Sequence, residues 1–390
     1  MYVYHLIDAL TGDRLETLTP KATPSWARRP EPVSWSVEFN IRPDPHDVLG
    51  TVMEGNPMAG LQHRIRPWRD AIVVSWQSGS SELALAAGIV SGPLVIAEAS
   101  GTLRVDTVCL RTLLEGRFLL TKTQWPLVAN DVIFANRTWT GLASEIVRAA
   151  TRDYEPPDPE YRVGGFGLPI IRPEVVAGTH TLQWWGYNFK TAAEALDDLE
   201  EEAGVVVDFR PEWSAYKFRW VMEVFADRGR EVLVTSLGST GAQSPQATYG
   251  GTTLDTSKLF TVTHHTGKGS EVDILNTRKS DTTPTMMARE VLLARPDVES
   301  GAQLVRQADG LYQEAQTVIT QDSVTMRLDP DNKDWVTPDE LVMGGTIQVI
   351  LEDSLQYRHT TLRRTLIGWQ ASGGRAINLE LQDLTTDAGV

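Results

Sequence analysis

A single cysteine in 390 residues excludes an intrachain disulfide and any zinc site built on several thiolates. Cys109 reads as a small buried apolar residue. Long apolar runs are missing too. The most apolar stretch, Leu83 to Ala97, is broken by Gly88, Gly92 and Pro93, so it reads as strand, turn, strand rather than a membrane span. The opening Met1-Tyr2-Val3-Tyr4-His5-Leu6 has no basic region and no cleavage site, so no signal peptide is expected. The chain is expected to be made in the cytoplasm, without membrane insertion. Basic residues are scarce: 36 Lys and Arg stand against 51 Asp and Glu, a net charge of −15. That balance argues against a general grip on nucleic acid, which needs cations to displace counterions from phosphate. It suits a soluble surface, or a channel wall that DNA crosses without sticking. Also absent are G-x-S-x-G, H-E-x-x-H and Walker A patterns. No catalytic, cofactor-binding or metal-ligating residue is therefore expected, and no cofactor.

The length calls for two to four domains. Twelve tryptophans are many, and Trp favours cores and interfaces where its N–H finds a partner. The last fifty residues carry the clearest pattern. Thr346–Leu351, Leu362–Trp369 and Ala376–Gln382 form an antiparallel meander; in the last, Ile377, Leu379 and Leu381 alternate with Asn378, Glu380 and Gln382. Ser372-Gly373-Gly374 supplies a turn. A meander of three has two open edges, which another part of the chain or another copy must cover.

From the N-terminus the expected strands are Tyr2–Asp8, Arg14–Leu18, Pro32–Asn40, Asp70–Gln77, Leu83–Val90, Leu94–Ala97 and Gly101–Val108, with a hairpin turn at Leu10-Thr11-Gly12-Asp13. That density suggests a small barrel or sandwich. Helices follow. Thr140 is the expected cap of a helix carrying Leu142, Ile146 and Ala149, and Thr191-Ala-Ala-Glu194 is a capping box for a helix ending at Gly204. Val205–Arg210 and Tyr216–Phe225 should pair across Pro211–Ser214. Strands return at Glu231–Leu237, Leu259–Thr266 and Glu271–Asn276. Thr283-Pro284 then opens a helix with Met287, Val291 and Ala294, and a second runs from about Ser300 with Leu304, Ala308 and Leu311.

Several clusters invite chemistry and have a plainer explanation. His264-His265 on a strand point to opposite faces and cannot chelate together, so one should be inward and one solvated. Asp329, Asp331 and Glu340 fit three positions of a calcium loop, but Lys333 and Asp334 stand where an oxygen ligand and a glycine are needed. The run Asp197-Asp198 with Glu200-Glu201-Glu202 reads as the solvated face of an amphipathic helix. Gly164-Gly165-Phe166-Gly167 neither follows a strand nor opens a helix, which argues against a phosphate cradle. Arg64-Ile-Arg66-Pro-Trp68-Arg69 is expected to be an exposed turn or a subunit contact. Trp184 and Trp185 read as core or interface anchors, with a sugar platform including Trp213 as the alternative. Asn136-Arg137-Thr138 matches a glycosylation acceptor that is empty without secretion.

The order of motifs resembles the minor tail proteins of long-tailed phages of actinobacteria, and through them the baseplate-hub family. The residues that carry this are Asp8-Ala-Leu-Thr-Gly12, Ser34-Trp-Ser-Val-Glu-Phe-Asn40, Arg66-Pro-Trp-Arg-Asp-Ala-Ile72 with Gly88–Pro93, Trp184-Trp-Gly-Tyr-Asn188, Asp208-Phe-Arg-Pro211, and Met343–Val349 through Ile377–Asp383. Met343-Gly344-Gly345 departs slightly from the family's Pro-Gly-Asp. The resemblance covers nearly the whole chain.

It implies a mainly β (α+β) fold with two related small antiparallel β-barrels and two accessory α+β domains. The expected map is 1–115 for the first barrel, 116–223 for an accessory domain, 224–283 with 329–390 for the second barrel, and 284–328 for a helical insert. It further implies a homotrimer whose barrels form a pseudo-six-fold ring adapting a six-fold tail tube to a three-fold tip. The distal tail protein and other tip proteins would be neighbours, with tape-measure protein in the lumen and DNA passing unbound, all within the virion. A tail-associated cell-wall hydrolase or a carbohydrate-binding module are the alternatives. Seven residues follow the expected barrel strand Ile377–Asp383 in this sequence, so no lytic module is expected after it.

Overall fold

The computed structural model describes residues 1–22, 26–41, 61–97, 100–119, 131–151, 167–226, 231–235, 246–255, 260–269, 273–280, 289–296, 298, 300–314, 319–328, 335–353, 358–371 and 375–383. The fold is mainly β, in several largely antiparallel sheets. In chain order it begins with β1 (Tyr2–Asp8), β2 (Arg14–Leu18), the two-residue β3 (Ala27–Arg28) and β4 (Ser34–Asn40). Helix α1 (Leu61–Arg64) precedes β5 (Asp70–Ser78), β6 (Ser81–Ala97) and β7 (Thr102–Val108). These strands, β3 excepted, form a six-stranded sheet in the order β2-β1-β5-β6-β7-β4. Among the described residues its two edges meet just past β2, where Pro20 bridges Phe39 and the Lys21 N–H donates to Glu38 O at 2.7 Å. The sheet curls toward closure without a continuous ladder, so the expected closed barrel is not formed.

Helix α2 (Leu110–Glu115) leads to β8 (Asp131–Arg137), α3 (Trp139–Ala150), β9 (Ile170–Ile171), β10 (His180–Trp185), α4 (Ala192–Ala203), β11 (Val206–Ser214) and β12 (Lys217–Phe225). The cap of α3 is Thr138, whose hydroxyl accepts from the Gly141 N–H at 3.1 Å, two residues before the expected Thr140. The Thr191/Glu194 capping box and the left-handed Gly204 are as expected. The β11–β12 hairpin turns at Ala215-Tyr216, so Pro211–Ser214 lie in a strand rather than in the turn. Pro211 is tolerated because β11 is an edge strand with no ladder on its outer side.

The chain continues with β13 (Glu231–Thr235), β14 (Ala247–Asp255), β15 (Val262–Thr266), β16 (Asn276–Ser280), β17 (Glu290–Ala294), α5 (Gly301–Glu314) and β18 (Ile319–Arg327). It closes with β19 (Thr346–Asp353), β20 (Arg358–Ala371) and β21 (Ala376–Gln382). The expected helix behind Pro284 is corrected: Glu290–Ala294 is a strand, running parallel to β15 in a three-stranded sheet with β16. The β-branched Val291 and its neighbours Leu292 and Leu293 suit a ladder as well as a helix stripe. The strand expected over Glu271–Asn276 begins instead at Asn276.

The C-terminal meander has both edges covered from within the chain. The order is β13-β19-β20-β21-β18-β14, with β3 joining β20 through Trp369↔Arg28 and Gln370↔Ala27. This sheet is also open. β20 is long because it serves two neighbours, β19 with its first half and β21 with its second. One apolar cluster runs through both large sheets, from Tyr4, Leu6, Trp26, Trp35 and Phe39 to Val324, Leu366, Trp369, Leu379 and Leu381. Trp26, only 1% exposed, is the residue that β3 carries into it.

Candidate functional site

The places where side-chain chemistry concentrates are joints between sheets, one clamped turn and one cleft. β3 is the first joint. Arg28 and Asp208 form a buried ion pair between β3 and β11, and the Arg28 guanidinium lies 5.1 Å from the Trp369 ring centroid. Next to it, Arg29 pairs with Glu380 of β21. The segment Ala27–Arg29 thus ties the C-terminal sheet to the sheet of β11 and β12.

Helix α4 is the second joint, and here the expectation of a solvated acidic face is overturned. Asp198 is buried, accepts the Trp184 indole N–H at 3.1 Å and pairs with Lys190 at 2.8 Å. Arg111 of α2 bridges Asp197 at 2.5 Å and Glu200 at 2.6 Å. From the far side Arg295 reaches Glu201, and Arg306 of α5 reaches Glu202 at 3.1 Å. Burial pushes the Glu200 carboxyl up, against the pull of Arg111 and the Val207 N–H. The run of carboxylates binds arginines from elements before and after it in the chain.

The basic-aromatic cluster forms a clamp. Arg66 holds the fully buried Asp70 at 2.6 Å, and Arg69 holds Asp8 at 3.0 Å, while Arg64 pairs with Glu16 at 2.7 Å. Burial raises the Asp8 carboxyl, but the Leu10 and Thr11 N–H groups and Arg69 outweigh it and leave it below the usual carboxylate range. Between the two arginines Trp68 stands 57% exposed at φ 60°, a costly conformation for a bulky side chain, fixed by its N–H donating to Val90 O at 2.8 Å.

The cleft is one that the sequence did not announce. Trp139 stacks on His180 with centroids 3.9 Å apart and planes 17° apart. Together with Thr138, Thr140, Thr179, Val205, Val224 and Phe225 they line an open depression of about 490 Å³. No lining residue is a carboxylate, ammonium or guanidinium. His180 and Trp139 are forty-one positions apart in sequence, and only the β8–β10 pairing brings them together.

The other sequence candidates fall as follows. His265 is buried with Nε2 at 3.0 Å from Thr263 Oγ1, while His264 points outward, 3.6 Å from Glu290. Burial, with the charge of Arg295, holds the His265 imidazole below its ordinary value. Trp184 is buried and Trp213 donates to Ser75 Oγ at 2.8 Å under the Arg14 guanidinium, so neither offers a sugar platform. The side chain of Trp185, residues 164–166 of the glycine-rich run and residues 329–334 of the calcium-loop pattern lie outside the described residues. Glu340 accepts from the Thr337 N–H at 2.8 Å. Thr138 of the acceptor pattern is the α3 cap already described. Cys109 is half-buried, within 3.6 Å of Thr112 Oγ1. His5, missed entirely, is buried on β1 between Glu82 and the edge of Trp213. His5 Nε2 and Glu82 Oε1 approach to 2.7 Å without aligned hydrogen-bond geometry.

No protein-family model and no curated protein sequence matches the chain. Solved structures do. The 43 kDa tail protein of prophage MuSo2 from Shewanella oneidensis superimposes with a TM-score of 0.54 at 13% identity, covering 97% of this chain and 98% of that one. A tail protein from Neisseria meningitidis MC58 gives 0.53 at 14% identity, covering 98% and 96%. The chain has the fold of these tail proteins. At such identities fold is what the likeness shows.

Proposed function

We infer that the chain is a structural subunit of a bacteriophage tail tip, a baseplate hub that assembles as a homotrimer. The two large sheets act as paired barrel-like modules, so three copies place six of them around an axis. The ring then adapts the six-fold tube to the three-fold tip. The proposed modules are 1–115, 116–223, and 224–283 with 329–390, with 284–328 inserted. Sheet pairing moves β15 and β16 toward the insert and β18 into the second large sheet. The observation that carries this is the end-to-end superposition, over 97% of this chain and 98% of a prophage tail protein.

Other features support the reading. A net charge of −15 suits a lumen that must release DNA or tape-measure protein. The ion pairs of β3 and α4 join separate elements, and those of Arg64, Arg66 and Arg69 brace one turn, roles that suit an architectural subunit. The proposed neighbours are the distal tail protein and other tip proteins, in the virion. The sources of the two matched tail proteins, Shewanella and Neisseria, support a phage tail role at large rather than an actinobacterial one.

Light-scattering mass combined with electron microscopy tests the assignment. The expected result is a three-fold ring, and antibody label at the tail tip of intact particles. Label absent from purified virions would sink the assignment.

A further inference from the structure

Two features of the surface are complementary. The first is a knob: Trp68, 57% exposed, held at φ 60° by a turn whose flanking arginines are locked onto buried carboxylates. An aromatic side chain fixed in advance loses little freedom when it docks, which is what a binding anchor needs. The turn's own hydrogen bonds, including Trp68 N–H to Val90 O, account for the backbone, but they leave the exposed ring itself without a role in the fold. The second is the uncharged cleft over Trp139 and His180, about 490 Å³ and open on one side. It is roomy enough for an indole. Its aromatic and valine walls suit the ring, and its threonine hydroxyls suit the indole N–H.

We propose that Trp68 of one copy inserts into the Trp139–His180 cleft of the next, forming the head-to-tail contact that closes the ring. This rests on the hub reading and names its interface. Knob and hole lie on different modules of the same chain, the first sheet and the α3–β10 unit, so the contact is heterologous and generates a ring if the rotation closes. Charge favours it. Each copy carries −15, so acidic surfaces repel, and the docking point must either lack charge or be basic. The cleft has no charged lining, and Trp68 is flanked by Arg66 and Arg69, which remain 44% and 50% exposed around their buried partners.

Tyr216 is the rival knob, 89% exposed at the tip of the β11–β12 hairpin. It sits on the same unit as the cleft, at the opposite end of the hairpin, and nothing comparable to the Arg66/Arg69 clamp holds it.

The test measures self-association of the full chain by light scattering and sedimentation. Trp68→Ala and Trp139→Ala should each weaken it by at least about tenfold, the size expected of a central aromatic anchor. Trp68→Phe should keep most of it, and Tyr216→Ala should leave it unchanged. The two alanine changes together should cost no more than one alone, because they remove the same contact. In a Cys109→Ser background, copies carrying Pro67→Cys mixed with copies carrying Thr179→Cys should form an interchain disulfide. A wild-type trimer that Trp68→Ala leaves intact, or that cross-links only through Tyr216→Cys, overturns the contact while the ring stands. A wild-type chain that stays monomeric at every concentration, with no cross-link formed, overturns both.

Discussion

Arg28 and Asp208 stand 180 positions apart and form one ion pair with neither side chain more than 8% exposed. A buried pair of this kind is costly to break and cheap to replace whole. Asp208→Ala strands a guanidinium in the core and should cost about 3–5 kcal/mol in urea unfolding. Arg28→Met with Asp208→Leu should recover most of that loss. Equal losses in the single and double variants would show that the pair contributes through packing alone.

Gly12 makes a joint of the same kind in the backbone. It sits at φ 74°, and a Cβ there would lie 2.1 Å from Phe218 O, while the Phe218 N–H donates to Gly12 O at 2.7 Å. Gly12→Ala should therefore lower stability by at least about 2 kcal/mol, since strain at positive φ adds to a steric clash. Chemical denaturation of the variant checks it.

The unit around α5 should be the first to loosen. Among the described residues, none of the three buried apolar clusters includes a residue of 262–314. Its attachment to α4 runs through Arg295 and Arg306. Ion pairs that are partly exposed weaken with salt, whereas apolar cores do not. Hydrogen exchange at about 1 M salt, or in Arg295→Gln/Arg306→Gln, should speed up over α5 and leave β5 and β6 protected. Uniform exchange across both regions would contradict an ionic attachment.

Acid should act in two steps. Burial holds the His5 and His265 imidazoles below their ordinary value of 6.5, so the folded chain binds fewer protons than the unfolded one in that window. Stability should fall as pH drops through 6.5 toward the folded values. A second loss follows at lower pH, where Asp8, Glu82 and Glu212 titrate below their free values. Glu200, pushed up, works in the opposite sense, and favours the fold as it gains its proton. Thermal midpoints against pH should show the first step shrink in His5→Gln and the second persist.

Much of the fold was legible because period and turn chemistry agreed. The alternation of Ile377, Leu379 and Leu381, the Thr191 capping box and the Gly12 turn all appear where pattern placed them. The failures have a common cause. Glu290–Ala294 offers Val and Leu in succession, a run that fits strand and helix alike, and its ladder partners, Val262 for Glu290 through Thr266 for Ala294, lie far back in the chain. The acidic run on α4 carries a solvated face's composition, and only distant arginines make it a joint. Clefts such as that of Trp139 and His180 depend on strand pairing at long separation, which no local pattern reports.

The placement of Ala27 and Arg28 beside Trp369 also bears on how the chain is made. A ribosome delivers the first residues well before the strand that receives them, so Trp26 can meet the edge of Tyr2 early but gains its C-terminal cover only when nearly the whole polypeptide has emerged. A prematurely terminated product would keep part of that indole uncovered, a flag for chaperones and proteases.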